Sequence, residues 1–400
     1  MPQHTPYDFD RIIDRTGTYA EKYDARKRIF GNDTAEPFWV ADMDLPTPAF
    51  LVDALHARVA HPIFGYTDAD AGTSAAIQWW LDSQHGLRTE KSWVRLSPSV
   101  VTSMSHAIQV LSQPNDSVVF LSPVYGPFFT TVRQNGRHPL DVPLHPQQNR
   151  YEIDFDALES ALARPDATLL LLCNPHNPGG RVFSRAELSA MVDLCHKHNV
   201  HIFSDEIHCD IVFAPHAHTS ILSIEAAHPI SIVAFSIGKL FNTSGLNASF
   251  ALIPNPKLRA QFVSATQRSH CADINLLGKV ALTTAMSPQG AEYKRQLIAY
   301  LAENTQEVHR ILSAIPGVSV MRPEATYLVW GDFRALGTPT QVAKRLIDDA
   351  QVLLSGGAFF GQNGDGWFRA NCAHPRQRLY PAMERVLQAL APGTRPHSAP

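Results

Sequence analysis

Between about residues 46 and 255, short apolar runs alternate with stretches whose apolar residues recur every three or four positions. The runs Ser117–Leu121, Thr168–Cys173, Val200–Phe203 and Ile230–Phe235 are apolar on successive residues, the pattern of strands covered on both faces. Such strands, separated by helical segments, predict an α/β fold with a mainly parallel sheet and crossover helices. Ser184-Arg185-Ala186-Glu187 reads as a capping box, in which the hydroxyl and the carboxylate satisfy free N–H groups at a helix start. Leu188, Met191, Val192 and Cys195 follow at i, i+3, i+4 and i+7 and give that helix one apolar face. Strand, loop with Asn177, helix and strand ending at Asp205 therefore make a βαβ unit, and both polar residues emerge at the same sheet edge.

Beyond Pro254 and Pro256 the pattern turns helical, with Asn275–Ala285 and Glu292–Leu312 as long helices. Tyr327–Trp330 and Val352–Leu354 read as strands, followed by a glycine-rich piece that ends in Trp367-Phe368-Arg369-Ala370-Asn371. The expected organisation is an extended N-terminal arm (1–45), a large domain (46–257), bridging helices (258–312), a small α+β domain (313–391) and a disordered tail (392–400).

Composition narrows the class. A chain of 400 residues with 44% hydrophobic and 18% charged residues can build its core without metal or disulfide support. A formal net charge of −3 gives no electrostatic case for nucleic acid or anionic membrane as the main partner. The five cysteines are scattered, with no CxxC pair, as in a reducing compartment. The first fifteen residues lack an apolar core of the signal-peptide kind. No apolar stretch approaches the ~18 residues of a membrane span. A cytoplasmic protein is expected.

Chemistry concentrates at strand ends. Asn177 lies in Asn174-Pro175-His176-Asn177-Pro178-Gly179-Gly180, Asp205 in Ser204-Asp205-Glu206-Ile207-His208, and Lys239 in Phe235-Ser236-Ile237-Gly238-Lys239. Each cluster follows an apolar run, about one βα unit after the previous one. A lysine at the strand ends of an open sheet can hold a carbonyl cofactor covalently, and a buried aspartate beside a pyridine nitrogen favours its protonated, electron-withdrawing form. Asn177 can hydrogen-bond the ring's 3-oxygen. The conjunction points to pyridoxal phosphate, with Lys239 also serving as base at the substrate Cα. Ser99, Val100 and Val101 precede or open a helical segment whose free N–H groups suit a phosphate, and the Ser236 hydroxyl is a second candidate contact. Tyr125 can stack on the ring, and Arg369 can grip an α-carboxylate with both arms of its guanidinium.

Other features read more plainly. His196-x-His198-x-x-His201 and His216-x-His218 suggest surface or loop histidines, without a metal. Trp79-Trp80 suggests core or interface, Arg133 and Arg137 solvated charge, and Lys279 and Lys294 ordinary surface lysines.

Along almost its whole length the chain resembles fold-type I pyridoxal phosphate enzymes of the class I/II aminotransferase superfamily, and within it the cystathionine β-lyase-like C–S lyase branch. The resemblance is carried by Trp39-Val40-Ala41-Asp42-Met43-Asp44, Ile63-Phe64-Gly65-Tyr66, Ser97-Pro98-Ser99-Val100-Val101, Pro123-Val124-Tyr125, Cys173–Arg181, Ser204–His208, Thr326-Tyr327-Leu328 and Phe360–Asn371. It implies that Lys239 is the Schiff-base lysine, Asp205 the pyridinium partner, Asn177 the 3-oxygen ligand, Tyr125 the stacking residue and Arg369 the carboxylate clamp. It further implies that Ala41 faces the substrate, that His208 stands where many aminotransferases place a tyrosine, and that Tyr66 reaches the phosphate of a partner subunit in a homodimer. Two departures stand out: Gly238 replaces an expected hydroxyl residue, and no arginine lies between Lys239 and Arg259. The implied activity is α,β-elimination of cystathionine or a related cysteine S-conjugate to thiol, pyruvate and ammonia. An aminotransferase on the same scaffold is the alternative. A regulatory protein acting through protein contacts is the alternative of another class, without a DNA-binding segment of its own.

Overall fold

A seven-stranded sheet organises the large core. The computed structural model describes residues 7–391 except 69 and 71, so the tail expected to be disordered lies outside the described residues. In chain order the strands are Val94–Ser97 (β1), Ser117–Ser122 (β2), His138–Pro143 (β3), Ala167–Cys173 (β4), His201–Asp205 (β5), Ser231–Ser236 (β6) and Ser249–Leu252 (β7), and across the sheet they run β1-β7-β6-β5-β4-β2-β3. Strands β3, β2, β4, β5 and β6 pair in parallel, whereas β7 runs antiparallel to both neighbours. Every residue of β2 and nearly every residue of β4 to β7 is buried, which is why their sequence shows no alternation.

The capping box forms as the sequence predicts. The Ser184 hydroxyl accepts from Glu187 N, and Glu187 accepts from Ser184 N at the start of helix Arg185–Lys197. Leu188, Met191, Val192 and Cys195 are its buried face. Helices Pro256–Arg268, Leu276–Ala285 and Pro288–Ser313 lead to a four-stranded sheet of Ser319–Val320 (β8), Leu328–Asp332 (β9), Ser355–Gly356 (β10) and Trp367–Asn371 (β11), ordered β8-β9-β11-β10.

The arm is not simply extended. Glu21–Asp24 and Arg26–Phe30 are short helices, and Glu36–Pro37 pairs in parallel with Val352–Leu353. Phe38 joins the apolar core of the second sheet. Two lysines read as surface turn inward: Lys279 is buried and Lys294 is half-buried. Lys279 Nζ donates to Asp273 and to the Asp68 carbonyl, and Lys294 Nζ lies 2.7 Å from Asp210 Oδ1. Both sit on faces that bridging helices turn inward, where a paired ammonium is tolerated. Arg137 is half-buried and donates to Ser112 Oγ and the Ser112 carbonyl. Among the described residues no helix is long and apolar enough to cross a membrane.

Candidate active site

A cavity of about 540 Å³ opens at the C-terminal ends of the central strands. Asp205 is the last residue of β5; Lys239, Asn177 and Tyr125 each follow three or four residues after β6, β4 and β2. Ser99 caps the helix Val100–Leu111 that follows β1, its hydroxyl accepting from Thr102 N. This is where open α/β sheets place ligands, because loops diverge there and helix N-termini point their N–H groups inward. Ser99, Val100, Val101, Tyr125, Asn177, Asp205, His208, Lys239, Arg369 and Ala41 all line the cavity.

Two glycines allow the Asn177 loop its shape. At Gly179 a Cβ would lie 2.6 Å from the Tyr151 ring, and at Gly180, with φ of +67°, it would lie 3.2 Å from the Ala325 carbonyl.

Burial dominates the electrostatics. The Asp205 carboxyl is raised to about 7 by burial, against a hydrogen bond from Ile207 N at 3.1 Å and the charge of Lys239. The Lys239 amine is lowered to about 8 by burial and by Arg369, with Asp42 and Asp205 opposing. His208 is held neutral, first by burial and then by Lys239 and Arg369, and its Nδ1 lacks a hydrogen-bond partner. Arg369, on β11, donates to Asn177 Oδ1 at 2.9 Å and to the Trp39 carbonyl at 3.0 Å, and its Nε is unpartnered. Burial lowers it to about 10, and no carboxylate pairs with it among the described residues. A buried guanidinium without an anion is costly unless one arrives.

The segment 38–45 forms the wall facing Lys239. Lys239 Nζ donates to the Ala41 carbonyl at 2.6 Å, and Tyr327 Oη donates to the same oxygen at 2.9 Å. Asn371 Nδ2 donates to the Val40 and Asp42 carbonyls, and Asn242 exchanges hydrogen bonds with Met43. Behind the wall, burial alone would raise the Asp44 carboxyl. His374 at 2.9 Å and the fully buried Lys22 instead pull it far below the usual carboxylate range.

Two residues singled out in the sequence lie outside the cavity lining. The Ser236 hydroxyl donates to the Ala248 carbonyl at 2.9 Å and accepts from Gly238 N, so its proton is committed to shaping the turn before Lys239. Tyr66 is fully exposed on the single chain. At Gly238 a Cβ would lie 3.1 Å from both Ser236 Oγ and Ser244 Oγ, so a larger residue there would require these side chains to shift.

The histidines divide. His196 and His198 make peripheral contacts with the Ala226 carbonyl and Glu159. His218, read as a loop residue, has a buried side chain 2.9 Å from the fully buried Glu206. Among the described residues His85, Cys209 and Asp210 bring possible ligand atoms within 4.8 Å of one another. Asp210 already accepts from His85, Lys294 and Trp80, so an ammonium compensates this anion.

Sequence reasoning missed Glu21, Ile29, Phe30 and Phe359, which also line the cavity. The first three belong to the arm, where no strand-end signal marks them. Phe359 lies in the glycine-rich piece, beside residues that carried the resemblance.

Comparison with known proteins places the chain in a class. Residues 42–386 match the profile of the family described as aminotransferase class I and II, and the chain belongs to that family. It is 38% identical over 387 residues to the cystathionine beta-lyase PatB of Bacillus subtilis, covering 96% of this chain and 100% of that one. It is 31% identical over 388 residues to the protein MalY of Escherichia coli, covering 96% of this chain and 99% of the other. Among solved structures, cystalysin from Treponema denticola, which contains a pyridoxal 5'-phosphate cofactor, superposes with a TM-score of 0.92 at 28% identity, covering 96% of this chain and 99% of that one. A PLP-bound putative aminotransferase from Clostridium difficile superposes at 0.93 with 33% identity, covering 96% and 100% respectively.

Proposed function

We propose that this chain is a pyridoxal phosphate-dependent carbon–sulfur β-lyase, converting a cysteine S-conjugate of the cystathionine kind and water to thiol, pyruvate and ammonia. The observation that carries the cofactor is the meeting, in one cavity, of a half-buried lysine lowered to about 8, a carboxyl raised to about 7 and a buried guanidinium with no carboxylate partner. These fit the group: each lacks the partner that a pyridine ring, a carbonyl and an amino-acid carboxylate would supply. The likeness to a cystathionine beta-lyase over 96% of the chain supports lyase chemistry.

When bound, pyridoxal phosphate supplies a carbonyl for the substrate amine and a ring that withdraws electrons from Cα. Asp205 would hold the ring nitrogen, Asn177 and Arg369, already joined by a hydrogen bond, would serve the 3-oxygen and the α-carboxylate, and Tyr125 would pack against the ring. The first N–H groups of helix Val100–Leu111 and the Ser99 side would take the phosphate. Lys239 would take the proton from the substrate Cα. The Ala41 carbonyl, which already accepts from Lys239, holds that amine against the cavity wall. In this reading 46–257 is the cofactor domain and 313–391 carries the carboxylate clamp.

The same residues serve an aminotransferase, so turnover decides. With cystathionine or an S-alkyl cysteine as sole substrate, we expect continuous release of pyruvate, ammonia and thiol in equal amounts. A single bleaching of the cofactor absorbance, with turnover resuming only after a keto acid is added, would replace the lyase with an aminotransferase.

The active unit is proposed to be a cytoplasmic homodimer. On the single chain Ile63, Phe64 and Tyr66 are 66%, 61% and fully exposed, a run of apolar surface that suits an interface. In a dimer Tyr66 would reach the neighbouring phosphate. Tyr66→Phe should weaken cofactor retention by about 1.5–3 kcal/mol, the range for a hydrogen bond to a charged group. Equilibrium dialysis measures it, and a fully active monomer by light scattering would remove the basis for the expectation.

A further inference from the structure

The cavity is chemically divided. Its inner part holds Lys239, Asp205 and Arg369, which face the α-amino and α-carboxylate end of a substrate. Its outer part is walled by Ile29, Phe30, Trp39 and Phe359, and Ile29 and Phe359 are 43% and 54% exposed, which marks the mouth. Among these apolar side chains stands one charged group, Glu21, at the start of the short helix Glu21–Asp24. Its carboxylate has no hydrogen-bond or ion-pair partner among the described residues. Its charge nevertheless reaches into the site, because it is one of the groups acting on the Tyr125 phenol.

With the α-carboxylate on Arg369 and the α-amine at Lys239, the mouth is the open part of the cavity available to the leaving thiol of a cysteine S-conjugate. The leaving thiol then lies between apolar walls and ends beside Glu21. Glu21 is itself exposed at the mouth, so it acts there as a partly solvated charge with no competing partner. We infer that Glu21 is a specificity-determining residue that selects cysteine S-conjugates whose leaving thiol carries a cationic amine. This inference rests on the reading of the site as a C–S β-lyase.

The chemical step is unchanged by it. The Cα–H and Cβ–S bonds break, the C–H electron pair becomes the Cα–Cβ π bond, and the sulfur leaves with the Cβ–S pair and takes a proton. Water then converts the released three-carbon fragment to pyruvate and ammonia. Cystathionine fits the class in part, since its distal ammonium is accompanied by a carboxylate that Glu21 repels.

The test uses three conjugates of similar length with the cofactor-loaded protein. They are S-(2-aminoethyl)-L-cysteine, S-propyl-L-cysteine and S-(2-carboxyethyl)-L-cysteine. We expect kcat/KM, measured by pyruvate release, to fall in that order, with about two- to fivefold between neighbours, the scale of one partly solvated ion pair. The ratio of the aminoethyl to the propyl substrate should shrink toward one as ionic strength rises. In Glu21→Gln that ratio should fall to about one, and in Glu21→Lys the carboxyethyl substrate should become the better of the charged pair. Equal kcat/KM for all three substrates in the natural protein, or a ratio untouched by either substitution, would overturn the role of Glu21 while leaving the lyase intact. No pyruvate from any of the three would instead remove the lyase reading itself.

Discussion

Lys239→Ala should lower turnover of an S-alkyl cysteine by about 10⁴-fold, the upper end of what a positioned proton carrier contributes. The proposed function gives this side chain two tasks. In the proposed mechanism it would anchor the cofactor and then take the Cα proton of the substrate. Its surroundings prepare it for both. Burial and the nearby Arg369 bring the amine down to about 8, and the Ala41 carbonyl holds Nζ at 2.6 Å. Only the neutral amine attacks a carbonyl, so cofactor uptake by the cofactor-free protein should quicken as pH rises toward about 8. Borohydride reduction of the loaded protein followed by peptide mapping should find the cofactor on the peptide containing Lys239. Recovery on another lysine, or turnover surviving in Lys239→Ala, would dismiss the assignment.

Asp205→Asn should separate stability from activity. In the folded, cofactor-free chain the carboxyl is raised to about 7 from its ordinary 3.8, mainly by burial. The folded chain therefore binds more protons than the unfolded chain between those values. A group of this kind contributes most below about pH 4, and its contribution is lost as pH rises through about 7. At about 1.4 kcal/mol per pH unit, the native carboxylate costs the cofactor-free protein a few kcal/mol near neutrality. Asn, which cannot ionise, avoids that cost. Urea unfolding of the two cofactor-free proteins should show Asp205→Asn gaining relative stability from pH 5 to 7.5. Once the cofactor is loaded the order reverses. Losing one partner of a buried ion pair costs about 3–5 kcal/mol, so kcat/KM should fall by roughly two to four orders of magnitude. A variant with full activity would show that Asp205 does not hold the ring's proton, and a stability difference flat with pH would show that its carboxyl is not raised in the cofactor-free chain.

Much of the scaffold is legible from local signals. Four expected strands coincide with observed ones to within a residue or two, and Asn275 caps the helix predicted to begin there. Strands buried on both faces and capped helices announce themselves over a few residues, which is why these segments were readable. Lys279 and Lys294 were not, because a lysine's partner is set by whichever distant helix packs against it. The arm misleads for a similar reason. The buried charge cluster of Lys22 and Asp44 exists only once His374, Tyr23 and Arg15 are brought around it.

The order of Asn177, Asp205 and Lys239 along the chain, each after a buried strand, was determined by the sequence alone. Parallel strands deliver their C-terminal ends to one edge whatever the details of packing. Tertiary structure decided the rest of the site. Ala41 and Lys239 meet across 198 residues, Arg369 and Asn177 across 192, and Glu21 comes to the mouth from an arm with no periodic pattern. Such contacts depend on how separate elements dock, and on which buried charge is left without a partner when they do.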